Sequence, residues 1–480
     1  MKLTLDAIND DTLVCIFAAV TIPDILTLRQ VCRAFYSLST QHTVWINACK
    51  RHILENDIPF PSGPLSALSA KDLEHQTLRA YKLGANWRSS STQIHQIGSV
   101  SGKTGAIEQI KFLNNRGRNW IVTTSRGIWS NMYLRDRDTL QVVACWSPRK
   151  ALFNGMTVNT DRDSEAAIAI SIQQEGSTSV EILSIVEQGS SSDVTFHLIN
   201  SVHTRHRPVT LSGDLVALSD HDSETLVLNW RTQERSILRS PDTWQDKPLH
   251  VVFVQGIVLV ARARSICLFV DPPLVPPEHE PSVTLPYACS SFGWVDGVSL
   301  TVRPSRPLDI NDPSPCLSML VRTKGDDPWS LQDKFRFLTM NPETPRISSA
   351  IPLDGAPANH SPTQPLTLVT SLSCPHTGPL RCSDMVLGPY GTAVWVQPAD
   401  WSIAGLISNN VHLQHVPVPS AQEILVAAIF PGRLGGVLSQ ASIKVSCVNS
   451  EKNWSCLDYD EELGLVALGS SSGSITMLRL

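Results

Sequence analysis

Apolar residues near the start of the chain recur at helical spacing. Leu13, Ile16, Phe17 and Val20 fall at i, i+3, i+4 and i+7, which puts them on one face of a helix. Asp10 and Asp11 stand just ahead of this run, where negative charge favours a helix N-terminus. Pro23 and Asp24 restart the chain, both tolerated in a first turn. Ile25, Leu28, Val31, Cys32, Phe35 and Leu38 then continue at helical spacing as a second helix. A third is predicted from Val44 to Leu54, with Trp45 near its start. Pro59, Pro61, Gly63 and Pro64 mark 57–68 as a connector. Ser69-Ala-Lys-Asp72 has the form of a capping box ahead of Leu73, Leu78 and Tyr81, so a further helix is expected there, with Gly84 as its stop.

From about residue 93 the period changes. Trp120–Thr124, Ala166–Ile172, Leu215–Leu218, Leu226–Trp230, Val251–Val254, Ile257–Ala261 and Ser265–Val270 are short, rich in β-branched residues, and punctuated by Gly, Asn, Asp and Ser. No later helix shows comparable periodicity. The clearest unit is the last: strand Trp454–Tyr459, turn, strand Leu465–Leu468, turn Gly469–Gly473, and strand Ser474–Leu480. Similar units stand at Val209–Leu238 and Leu249–Val270. Once the Pro-rich stretch 341–382 is set aside, the body holds seven or eight units at roughly 40–45 residues per four-stranded blade. The expected class is mostly β, an N-terminal helical head followed by a six- to eight-bladed β-propeller, which buries many meanders without long exposed edges. A large sandwich is the alternative. No Trp is followed by Asp, so the repeat lacks the WD signature. The ring is expected to close by pairing its final blade with a strand near Ile94–Val100. The divisions are a head at 3–50, a connector with linker helix at 51–92, and a body at 93–480.

Composition narrows the partners and the compartment. Lys+Arg 39 against Asp+Glu 44 leaves a net charge of −5, which excludes a strongly basic nucleic-acid surface as the main theme. Charged residues make up 17% against the usual ~25%, in keeping with strands buried on both faces. The 11 cysteines are odd in number and widely spaced, so reduced, buried thiols are expected. Asp6, Asp10 and Asp11 break any leader-like apolar run. The longest apolar stretch, Val251 to Ala261, contains Gln255 and Gly256 and is far short of the ~20 residues of a membrane span. A soluble cytoplasmic or nuclear protein is expected, bound to neither membrane nor nucleic acid, and the triplets Asn359-His-Ser361 and Asn453-Trp-Ser455 are then chance. Six prolines in 271–286 and eight in 341–382 mark two insertions, expected to project as extended loops.

The head resembles an F-box. Ile8-Asn9-Asp10-Asp11-Thr12-Leu13-Val14-Cys15-Ile16-Phe17 resembles the opening of that motif. Ile22-Pro23-Asp24-Ile25-Leu26-Thr27-Leu28-Arg29-Gln30-Val31-Cys32-Arg33-Ala34-Phe35 resembles its second helix, and Trp45 stands where the motif closes. The likeness covers residues 3–50, and the family's Leu-Pro pair reads Ile8-Asn9 here. It implies binding to the small adaptor subunit of SCF-type ubiquitin ligases, and through it to cullin, by Ile8, Leu13, Ile16, Phe17, Ile25, Leu28, Val31, Cys32 and Trp45. The body resembles the degenerate WD-like propellers of fungal F-box proteins, at Leu226–Trp230, Leu249–Phe253 with Ile257–Arg262, and Asp458–Glu461 with Gly464–Gly469. The implied function is that of a substrate receptor, a non-catalytic interaction module that presents a target protein to the ligase. An F-box scaffold without a ligase role is one alternative and a propeller enzyme another. Independently of the resemblance, three short helices are too small to bury all these apolar side chains. The head must dock on its own body, on another protein, or on both.

Candidate chemistry is sparse, and no catalytic, cofactor or metal residue is assigned. Gly98-Ser-Val-Ser-Gly102-Lys103-Thr104 is one residue short of a phosphate-binding loop and precedes Ile107–Leu113, which reads as a strand rather than the required helix. Gly469-Ser-Ser-Ser-Gly473 fits a nucleophile-elbow pattern, but a strand follows and no His remains downstream. Cys374, His376 and Cys382, with His360, do not fit a closed zinc spacing. Asp220, His221, Asp222 and Glu224 read as one solvated turn. Arg205, His206 and Arg207, and Arg231 with Arg235, form two small basic clusters able to meet a phosphate or an acidic peptide.

Overall fold

Five helices open the chain. In a computed structural model the described residues are 9–480, apart from 62, 90–93, 103–104, 116, 189–192, 220–223, 241–247, 255, 271, 303–316, 325–331, 341–365, 376–380, 399–422, 432–433 and 436–439. Helix α1 (Asp10–Ala19) is capped by the Asn9 side chain, which accepts from the Thr12 amide. Helix α2 (Ile22–Leu28) starts from Thr21, which accepts from the Asp24 amide and donates to its carboxylate. The chain then leaves helical geometry, and α3 (Arg33–Ser39) begins anew from an extended Cys32. The expected single helix from Pro23 to Leu38 is therefore two. Arg29 stands at the break. Its guanidinium ties the end of α3, donating to Ser39 Oγ at 2.8 Å and Ser39 O at 3.0 Å, and pairs with Glu74 at 2.7 Å. Helix α4 (His42–Cys49) runs into a single π turn, Lys50–Leu54, and a short 3-10 turn, Leu65–Ala67, lies in the connector. Helix α5 (Ala70–Arg88) is capped by Ser69 as expected, but it passes through Gly84 without stopping. A Cβ on Gly84 would lie 2.7 Å from Ile58, so this glycine permits close packing rather than ending the helix.

The body is a seven-bladed β-propeller. Blade 1 is β2 (Ala106–Asn115), β3 (Arg118–Arg126), β4 (Ser130–Asp136) and β5 (Val142–Trp146). Blade 2 is β6 (Ala151–Val158), β7 (Ile168–Gln174), β8 (Ser177–Gln188) and β9 (Asp193–His203). Blade 3 is β10 (Arg207–Ser212), β11 (Leu215–Ser219), β12 (Glu224–Asn229) and β13 (Arg235–Arg239), with β17 (Ser282–Thr284) added in parallel at its edge. Blade 4 is β14 (Pro248–Val254), β15 (Ile257–Arg262), β16 (Ser265–Val270) and β18 (Ala288–Ser291). Blade 5 is β19 (Gly297–Val302), β20 (Leu317–Lys324), β21 (Gln332–Met340) and β22 (Leu366–Pro375). Blade 6 is β23 (Met385–Leu387), β24 (Thr392–Gln397), β25 (Glu423–Ile429) and β26 (Ser442–Asn449). Blade 7 is β27 (Trp454–Asp460), β28 (Leu465–Ser470) and β29 (Ser474–Arg479), completed by β1 (His95–Ser101) antiparallel to β29. The last strand thus closes the ring on the segment next to the head. The first strands β2, β6, β10, β14, β19, β23 and β27 each touch the next, and β27 returns to β2.

Burial explains the strand pattern. The second strand of a blade is covered on both faces by neighbouring blades, so β7 over 168–172 and all of β28 are buried. Such a strand reads as an unbroken apolar run rather than an alternating one. Each fully buried Val, Leu or Ile contributes about 1.5–3 kcal/mol, which gives these runs the largest share of the core. A bulge recurs near the start of the first strand in five blades, at Ile107/Gln109, Phe153/Gly155, Pro208/Thr210, Pro248/His250 and Trp454/Cys456. It is the clearest repeat in the fold, and it increases local twist at the inner edge.

Three further expectations need correction. The Pro-rich stretch 271–286 is not wholly loop, because β17 pairs with β13 and Val275 bridges Arg235. Of the second stretch, residues 366–375 are β22, the outer strand of blade 5, while 341–365 lie outside the described residues. β17 itself contains no proline, and Pro375 is tolerated at the end of β22 because an outer strand has one unpaired edge. The cysteines are not all thiols. Cys267 and Cys289 are directly opposite in the β16/β18 register, with Cα atoms 4.3 Å apart, and are joined as a disulfide.

Candidate functional site in the docked head and the inner ring

The head is welded to blades 6 and 7. One continuous core joins Phe17, Ile25, Trp45 and Trp87 to Val394, Leu425, Leu457 and Val466 of the propeller. Phe17 meets Phe35 edge-on with ring centroids 5.8 Å apart. Trp45 is fully buried, and its indole donates to Ser39 O at 2.8 Å. From α5, Arg79 donates to Leu463 O at 2.7 Å, and Leu83 packs on Gly464, both in the β27–β28 turn. Burial, with Arg479 and Arg137 nearby, pulls the Arg79 pKa down to about 10. Lys444 of blade 6 donates to Ser89 O at the end of the helix.

The residues expected to bind an adaptor divide between this core and the surface. Leu13, Phe17, Ile25 and Trp45 are buried, and Leu28 is half-buried against the same core. Ile16 is 42% exposed and Val31 63% exposed, and Cys32 is also exposed. Ile8 lies outside the described residues. Tyr36, 58% exposed, and Cys15 were not in the expected set and also reach the surface of the head. The helical period marks an apolar face, but it cannot divide that face between an internal and an external contact.

A second set of residues ties neighbouring blades together, all but Ser130 of β4 on or beside an inner strand. Ser130 Oγ accepts from Phe153 N at 3.1 Å, joining blades 1 and 2. Asn159 donates to Gly213 O and accepts from Gly213 N, joining 2 and 3. Thr210 donates to Val251 O at 2.6 Å, and His250 Nδ1 accepts from Leu300 N at 2.8 Å. Ser299 accepts from Leu387 N at 2.9 Å, and Asp384 accepts from Leu457 N at 3.0 Å. Asp458 closes the circuit by accepting from Phe112 N at 2.7 Å. Each tie satisfies a backbone group between adjacent sheets, where a lone polar group would be costly. The sequence offers no motif for them, since each blade contributes one residue and the types differ.

These ties include the titratable groups of the inner strands. Lys111 pairs with Asp458 at 3.3 Å and keeps a third of its side-chain surface open. Burial works against its charge, but Asp458 and Asp384 outweigh burial and hold its pKa up. Burial and then Lys111 push His250 down to about 4, so the imidazole is neutral and its Nδ1 can accept. Burial raises the Asp384 carboxyl despite Lys111. The acids, amine and imidazole that a propeller enzyme would need do stand on the inner strands, and each already holds backbone or an ion pair.

The motif-like segments fall as follows. Residues 98–101 lie in β1 and lead to no helix, with Lys103 and Thr104 outside the described residues. Residues 469–473 join β28 to β29 as a hairpin. Cys374 and Cys382 are buried thiols in different cores. Burial pushes the Cys374 thiol up to about 12 and also raises that of Cys382 well above the ordinary thiol value, while His360 and His376 lie outside the described residues. No group of three or more His, Cys, Asp or Glu is placed to hold a metal among the described residues. Asp220, His221 and Asp222 are outside them, and Glu224 pairs with Arg239 at 2.6 Å. No described helix is long and apolar enough to cross a membrane. No protein-family model and no curated protein matches the chain.

Proposed function

We propose that the protein is an F-box-type substrate receptor, a non-catalytic cytoplasmic or nuclear module whose helical head binds the small adaptor of a cullin ubiquitin ligase and whose propeller holds a target protein. The observation that carries this reading is the division of the head. Its core is already complete against blades 6 and 7, yet Ile16, Val31 and Tyr36 remain outside it. Exposed aromatic and branched apolar side chains on so small a surface fit a protein contact. The docked head would then give the adaptor a rigid attachment to the body, and the receptor would act by proximity, holding target lysines near the charged conjugating enzyme.

The test is affinity purification of the whole protein beside the Ile16→Asp, Val31→Asp double variant. Adaptor and cullin co-purify with the wild type and are lost from the variant, while target proteins stay. Absence of the adaptor from the wild-type preparation overturns the reading. A second reading, a scaffold that binds adaptor without cullin, is favoured by Asn9, which caps α1 where the family has proline. Cullin in the same purification separates the two.

A further inference from the structure

The strip of chain between β16 and β18 is closed into a ring by the disulfide of Cys267 and Cys289, 22 residues apart in sequence. It leaves blade 4 at the end of β16, crosses to the outer edge of blade 3, and returns to blade 4 as β18. Its non-covalent hold on both blades is slight. Val275 and Arg235 exchange two backbone bonds at 2.9 and 3.0 Å. β17 lays three residues along β13, where Ser236 Oγ meets the hydroxyls of Ser282 and Thr284. β18 is four residues long and pairs only with β16 among the described residues. Leu274 packs on the core between blades 3 and 4, but Val283, Leu285 and Tyr287 are exposed.

The two cysteines differ in burial. Cys267, on β16, is fully buried in the core that holds Val227, Val251 and Phe269, whereas Cys289, on the outer strand, is half-buried against it. They stand directly opposite each other in the register, so the bond anchors β18 at its middle. An outer strand this short draws little stability from its own pairing, and the covalent link then governs how firmly it stays on the blade. In a reducing compartment a disulfide is transient, and its use there is catalytic or redox-sensing.

We propose that the Cys267–Cys289 disulfide is a redox clasp. Oxidised, it fixes β18 and, through it, the strip that covers the edge of β13. Reduced, it releases β17 and β18 and uncovers that edge, whose unpaired backbone groups can then accept another strand. The reductant is a small thiol of the glutathione class. One glutathione thiolate attacks the Cys289 sulfur, forming a mixed disulfide and expelling Cys267 as a thiolate. A second attacks the glutathione sulfur, forming glutathione disulfide and expelling Cys289. Two electrons pass to the cysteine sulfurs, and the two protons lost by the glutathione thiols end on them. The clasp rests on the cytoplasmic or nuclear placement proposed above for its supply of glutathione, and not on adaptor binding.

The test is equilibration of the purified full chain in millimolar glutathione, from wholly reduced to wholly oxidised buffer. Differential alkylation with mass spectrometry reads the two cysteines, and amide exchange reads the strands. Cys267 and Cys289 are expected to pass together from dithiol to disulfide within the series. In the reduced form the amides of 282–291 are expected to exchange at least about tenfold faster, with the strands of blades 6 and 7 unchanged. Cys289→Ser is expected to show the fast exchange in every buffer, and should it not fold, the wild-type series decides alone. A pair that stays oxidised in every buffer, or stays reduced in every buffer, overturns the proposal. Equal exchange in the two forms, or slow exchange in Cys289→Ser, overturns it as well. The buffers are set in vitro, so none of these outcomes depends on where the protein resides or on whether an adaptor binds.

Discussion

Glu461 makes stability depend on pH in a direction that can be worked out. It lies in the β27–β28 turn beneath α5 and is 3% exposed. Its carboxyl accepts from Tyr390 N at 2.7 Å, from Thr392 N at 2.9 Å and from Thr392 Oγ1 at 2.5 Å, so it binds blade 7 to blade 6. Burial raises its pKa from 4.5 to about 7, against these hydrogen bonds and helped by the charge of Glu462. A carboxyl whose pKa is higher folded than unfolded binds its proton more tightly in the folded state. Its contribution is therefore present in full below pH 4.5 and is lost as pH rises through 7. At about 1.36 kcal/mol per pKa unit, the loss between pH 5 and pH 8 is about 2–3 kcal/mol. Glu461→Gln keeps the shape and cannot titrate. The contribution of the Gln side chain does not vary with pH, and at pH 5 the variant should be less stable than the wild type, because its amide nitrogen would face one of the amides the carboxyl accepts from. The assay is urea unfolding of both proteins at half-unit steps from pH 5 to 8. The difference between them should shrink by about 2–3 kcal/mol across that range. Taking the difference removes Asp384 and His250, which titrate in both. Parallel stability curves would refute the assignment of a protonated, buried Glu461.

Trp45→Ala should cost about 3–5 kcal/mol through the cavity it leaves. Ser39 O keeps its bond from Arg29, so the loss should be read as faster amide exchange in α3, α4 and α5 with the blade 2–4 strands unchanged. Gly464→Ala puts a Cβ 2.5 Å from Leu83 Cδ1 at a backbone φ of +61°, and should cost about 1–3 kcal/mol, seen as a lower melting temperature. Ile16→Asp and Val31→Asp, both at exposed positions, should each change stability by less than about 0.5 kcal/mol, measured by the same unfolding assay.

The parts of this fold that could be read in advance are those that many residues write together. The second strands are legible because burial on both faces demands a run such as 166–172 or 465–468, and the ring closure at β1 because blade 7 lacks an outer strand of its own. What could not be read depends on single residues whose partners are far along the chain. The helix break at 29–32 leaves no mark in the apolar spacing, and the contacts Arg29 makes beside it, to Ser39 and Glu74, are 10 and 45 residues away. Gly84 has the look of a stop until Ile58 is seen against it. The inter-blade ties use Ser130, Asn159, Thr210, His250, Ser299, Asp384 and Asp458, one residue per blade with no shared chemistry. In the head, the helical period located the apolar positions, but not the contact with blades 6 and 7 that completes their core.

The central claim is that a head welded to blades 6 and 7 offers its remaining apolar residues to a ligase adaptor. Titration of the purified full-length protein with purified adaptor tests it most directly. The account predicts a one-to-one complex that is lost in the Ile16→Asp, Val31→Asp variant while its melting temperature is unchanged. No binding by the wild type, or equal binding by the variant, would contradict it.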